Sequence, residues 1–102
     1  MSDDDTLTVT LLAESALTVQ DLACAGAVPR EWILQRVEQG VLPPAGRHGD
    51  EWHFTRTDVW RVRRMYAIER DYDAEPELAA LVADLLDEMD ALRARLRRAG
   101  LE

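Results

Sequence analysis

The spacing of hydrophobic and polar residues changes along the chain, and each change marks an element. From Thr6 the run TLTVTL alternates strictly, placing Leu7, Val9 and Leu11 on one side and Thr6, Thr8 and Thr10 on the other. A period of two predicts a half-buried strand. Six residues cannot form a sheet alone, and the expected antiparallel partner is EWHFT, residues 51–55, where Trp52 and Phe54 alternate with polar residues. Residues 1–5 are polar and acidic and are expected to be a disordered N-terminus.

Two helical patterns lie between these segments. LTVQDLACAGAV carries Thr18 three residues before Asp21, a variant of the capping box, and Val19, Leu22 and Ala23 form an apolar stripe that stops near Gly26. Pro29 suits the first turn of a second helix, REWILQRVEQ, for which Gly40 is the expected stop. Two short helices joined by a tight turn make a helix-turn-helix. Pro43 and Pro44 then lead into AGRHGDE, a run of turn formers that predicts a wing together with the strand that follows. A third helix is read in TRTDVWRVRRMYAIERDY, with Thr55 or Thr57 as N-cap, Asp58 in the first turn, and Val59, Val62, Met65, Tyr66 and Ile68 facing inward.

The last segment has the longest periodic signal. After the polar stretch DYDAEP, Leu78, Val82, Leu85, Met89, Leu92, Leu96 and Ala99 follow one another at alternating steps of four and three, a heptad seam. Taken as a and d positions, these residues put Glu88 at g and Arg93 at e, opposite each other in a parallel pair of helices. Leu85, Met89, Leu92 and Leu96 are therefore the expected dimerisation residues. The alternative, a seam packed on the chain's own body, suits the first half, where Leu81 and Leu86 widen the stripe. The organisation expected is a body over residues 6–72, a hinge at 73–76 and a terminal helix over 77–102. The fold class is mainly α, with a small antiparallel sheet and a coiled-coil-like C-terminal helix.

Composition narrows what such a molecule binds. With 102 residues, 47% hydrophobic and 31% charged, the chain suits one small globular domain. Its net charge of -8 repels phosphate backbones on average and attracts basic partners. All twelve basic residues are arginine. Cys24 is the only cysteine and is read as a small buried residue, and neither a secretory leader nor a membrane span is visible, so a cytoplasmic protein is expected. His48 and His53 near the wing lack a third ligand at metal spacing, and no phosphate loop, nucleophile elbow or paired catalytic carboxylates are seen. No enzyme activity, cofactor or metal is expected.

The order strand, helix-turn-helix, wing, helix, acidic hinge and terminal helix resembles that of MerR-like winged helix proteins. LTVQDLACAGAVPREWILQRVEQGVLPP, WHF and TDVWRVRRMYAI carry the resemblance. In MerR-type DNA binders the second helix uses an arginine and aromatic residues to touch phosphates. The corresponding stretch here is Leu34, Gln35, Arg36 and Val37, so much of that set is replaced. These departures, with the valine before EQGV, the prolines after it and the tail LLDEMDALRARL, are similar to the CbpM family of chaperone modulators. That resemblance implies binding to the J-domain of a CbpA/DnaJ-like co-chaperone, which would block stimulation of its Hsp70 partner. The alternative is a MerR-like transcriptional regulator, favoured by the fold order and the arginines of the third helix.

The resemblance assigns Glu31, Glu38 and Gln39 to the outward face of the second helix and so to the partner, with Asp84, Asp87 and Glu88 of the tail as further acidic contacts. Solvated helix faces are the commoner role of such acidic runs. Trp32, Trp52 and Trp60 are read as core anchors, and an exposed Trp32 would instead be an interface anchor. Arg61, Arg63, Arg64 and Arg70 are expected to form ion pairs within their own helix with Glu69, Asp71 and Asp73.

Overall fold

A computed structural model describes residues 17–101. It is mainly helical: α1 is Val19–Gly26, α2 Arg30–Glu38, β1 Gly46–His48, β2 Glu51–His53, α3 Arg56–Tyr72 and α4 Pro76–Arg98. The strand read at Thr6–Leu11 and the acidic start of the chain lie outside the described residues. Two compact units meet in sequence at Arg63 and Arg64, inside α3.

The first unit contains the winged helix-turn-helix. The Thr18 hydroxyl accepts the Asp21 N–H and the Asp21 carboxylate accepts the Thr18 N–H, both at 3.1 Å, so α1 starts with a complete capping box. The turn after α1 is made by Ala27, whose φ of 55° is left-handed, rather than by Gly26. Gly26 serves another purpose: a Cβ there would lie 2.7 Å from Cγ2 of Val62, so its missing side chain lets α1 and α3 approach. At the end of α2, Gly40 takes a φ of 78°. The Val41 and Leu42 amides then donate back to the Arg36 carbonyl, at 3.1 and 3.2 Å. That reversal carries Leu42 into the fully buried set of Leu22, Ile33, Phe54 and Val62.

The wing expected from AGRHGDE and the strand after it is a hairpin, while the pairing expected between Thr6–Leu11 and residues 51–55 lies outside the described residues. The partner of β2 is β1, the segment just before it, in the antiparallel register Gly46 to His53, Arg47 to Trp52 and His48 to Glu51. A two-residue turn suffices because Gly49, at φ 64°, adopts the conformation it needs. Beyond the hairpin, Phe54 forms an antiparallel bridge with Leu17, through backbone bonds of 2.8 and 3.1 Å. Thr55 caps α3: its hydroxyl accepts the Asp58 N–H, and the Asp58 carboxylate accepts the Thr55 N–H at 2.8 Å.

In the second unit, α3 ends at Tyr72 and Asp73 turns the backbone with a φ of 51°. Pro76 opens α4, where its missing N–H costs no hydrogen bond. The buried face of α4 consists of small residues, Ala79, Ala80 and Ala83. The two helical segments of this unit are joined by Arg64, whose Nη1 lies 2.9 Å from Asp87 and 3.1 Å from Asp90.

Candidate partner-binding surfaces

α2 occupies the place of a recognition helix, and its outer face is acidic and amide-bearing. Glu31, Gln35, Glu38 and Gln39 are exposed there. Arg36, one of its two arginines, is turned inward and buried. Its guanidinium lies 5.1 Å over the Trp32 ring and donates to the Gln39 side-chain oxygen at 3.1 Å. Trp32 is only 8% exposed, as a core anchor would be, so the condition for its alternative role as an interface anchor is not met: Ile33 and Trp32 together face inward, and the indole supports the surface from beneath. Gln39 reaches the surface with its oxygen already engaged by Arg36.

A cleft of about 230 Å³ lies in the same unit, lined by Thr18, Val19, Arg30, Leu34, Glu51 and Trp52 among others. It separates α2 from the wing. At the wing itself His48 and His53 stack with ring centroids 5.5 Å apart. No group of three or more metal-ligating side chains occurs among the described residues.

α4 presents its large apolar residues outward. Leu78, Leu81, Leu85, Met89, Leu92 and Leu96 are 43 to 55% exposed, while the alanines opposite are buried. Asp84 and Glu88 sit on the exposed surface of the helix. Asp87 is committed to Arg64, so its role as a partner contact competes with an intramolecular ion pair. No helix of the described residues is long and apolar enough to cross a membrane.

Three further sequence readings change. Trp60 is 67% exposed and is not a core anchor, because its position on α3 is opposite to that of Val62 and Met65. Cys24 is exposed, with its sulfur 3.3 Å from Nε2 of Gln20. The arginines of α3 do not chiefly pair within the helix. Arg64 reaches α4, Arg63 donates to the Ala25 carbonyl at 2.6 Å and stacks on Trp60, and Arg70 lies over Tyr66. The exposed position of Trp60 could have been read from its spacing, since Arg56, Trp60 and Arg63 recur at one face of a 3.6-residue period.

Comparison with known proteins places this architecture. Residues 17–99 match the family model described as MerR HTH family regulatory protein. The chain is 30% identical over 77 residues to the chaperone modulatory protein CbpM of Pseudomonas entomophila (strain L48), covering 76% of each chain. It is 30% identical over 83 residues to the protein of that name from Coxiella burnetii (strain Dugway 5J108-111), covering 81% of this chain and 78% of the other. A Pseudomonas putida (strain W619) protein of the same name is 29% identical over 77 residues, 76% of each chain. No solved structure matches. The family-model match extends over the helix-turn-helix, the wing and the tail, and the matches are to proteins described as regulators and chaperone modulators. The chain belongs to the MerR-like helix-turn-helix family and, within it, to the CbpM-type chaperone modulators.

Proposed function

We propose that the protein binds the J-domain of a CbpA/DnaJ-like co-chaperone and prevents that domain from stimulating Hsp70. The observation that carries this reading is the outer face of α2. Glu31 and Glu38 are exposed where a DNA-binding relative would present cations, and Arg36 is buried beside Trp32. A surface of this sign on a protein of net charge -8 favours a basic protein over a phosphate backbone. Asp84 and Glu88 of α4 offer a second acidic stretch. Occupying the basic Hsp70-docking helix of the J-domain would make the two partners mutually exclusive.

The test is calorimetric titration of the full chain with an isolated J-domain of the CbpA type at about 50 mM and about 300 mM salt, a span over which screening is felt. Binding that weakens at higher salt is expected, together with loss of J-domain-stimulated Hsp70 ATPase activity. Absence of binding at both salt concentrations refutes the reading. Reversing charge on α2, with Glu31→Arg and Glu38→Arg combined, should weaken binding by about tenfold or more.

A MerR-like transcriptional regulator is the second reading, favoured by the family and by Arg47, exposed at the wing beside the Gly49 turn. Duplex DNA binding with a steep salt slope would support it. The partner set also includes a second copy of the chain, paired through the exposed seam of α4.

A further inference from the structure

On α3 within the first unit, Arg56, Trp60 and Arg63 are all exposed and recur at steps of four and three, so they form one stripe. The stripe is unusual in two ways. Trp60 leaves two thirds of its surface in solvent, the largest such side chain described. Its flanking charges are positive on a protein that is otherwise strongly negative.

The stripe is also held in place. The Arg63 guanidinium lies 5.1 Å from the Trp60 ring centroid and donates to the Ala25 carbonyl at the end of α1, at 2.6 Å. Two anchors fix a side chain that would otherwise lose rotamer freedom on binding, so the cation is presented ready for an anion. Among the described residues no carboxylate pairs with Arg56 or Arg63. The stacked arginine covers part of the indole and leaves the rest for an apolar contact.

We infer that this stripe is a second docking surface, separate from the acidic face of α2, and that its occupant is a short acidic segment of a partner protein with an apolar residue between its carboxylates. Arg56 and Arg63 are seven residues apart on a helix, a rise of about 10 Å. An extended peptide covers that distance in about three residues. The segment therefore carries two acidic residues about three positions apart, which meet the arginines while the apolar residue packs on Trp60. Charge decides against nucleic acid: a long polyanion meets the field of the whole acidic protein, whereas a short segment needs only the two local arginines. A protein with both surfaces can bind a basic and an acidic partner at once.

The experiment follows the three tryptophan indole N–H signals of the full chain by NMR, during titration with a capped peptide that has two glutamates three residues apart around a leucine. A saturable shift of the Trp60 signal is expected, weakened at least about threefold by Arg56→Ala combined with Arg63→Ala, since exposed ion pairs are individually modest. The same peptide with glutamines should leave Trp60 unmoved. Equal shifts with the glutamine peptide, or shifts confined to Trp32 and Trp52, overturn the inference. So does tighter binding of a single-stranded oligonucleotide at Trp60. A fourth arm replaces Asp3, Asp4 and Asp5 by asparagine in the full chain; a Trp60 shift in that variant without peptide would mean that the chain's own acidic start occupies the stripe, which also overturns it.

Discussion

At Gly26 an added methyl group would sit 2.7 Å from a methyl of Val62, inside the fully buried set, so neither neighbour can yield without displacing others. Gly26→Ala should lower stability by about 1–3 kcal/mol in urea denaturation, despite the higher helix propensity of alanine. The helix cap sets a milder case. Thr18→Ala removes one half of the capping box and should cost about 1 kcal/mol, read in the same way. Arg64 shows the opposite limit. It has two carboxylate partners, but its side chain is 35% exposed and both partners are more so, so Arg64→Ala should cost under about 1 kcal/mol. All three changes concern the framework, which leaves the acidic face of α2 in place.

At the scale of elements, α4 has two faces with different consequences. The face of Ala79, Ala80 and Ala83 is buried in the chain, and small residues there allow close approach of backbone. Leu85, Met89, Leu92 and Leu96 form the other face and remain about half exposed. Burying each of them against a second copy would contribute about 1 kcal/mol or more. In a parallel pair Glu88 and Arg93 of opposite copies would add attraction. The expected outcome is a concentration-dependent dimer in sedimentation equilibrium, shifted to monomer by Leu85→Glu combined with Leu92→Glu with no loss of helical signal. Glu88→Arg should weaken the dimer and Arg93→Glu added to it should restore the dimer; a restoration that fails argues against the parallel arrangement.

For the whole molecule, the distribution of charge matters more than its sum. The net charge of -8 favours encounter with basic partners, an effect that salt screens, whereas the apolar contribution to binding is far less sensitive to salt. The association rate with the J-domain should therefore fall between about 50 mM and about 300 mM salt while the dissociation rate changes little, measured by stopped flow. If dissociation carries the salt dependence instead, close ion pairs rather than long-range steering control the complex.

The sequence by itself determined what depends on neighbours along the chain. The Thr18 cap, the Gly40 stop, the tight Gly49 turn and the heptad period of α4 are local matters of hydrogen bonding, backbone freedom and helical spacing, and each was legible in a short stretch. The order of those elements sufficed for the family. Tertiary structure alone decided where the long charged and amphipathic side chains go, because that depends on residues distant in the chain. It turned Arg36 inward on α2, left Trp60 and Cys24 in solvent, and sent Arg64 to Asp87 and Asp90 rather than to acids of its own helix. The β1–β2 pair is a local matter as well, since a two-residue turn closes it at little entropic cost. Arginine placement was the least legible feature, because a long cationic side chain reaches several possible partners and only the fold selects among them.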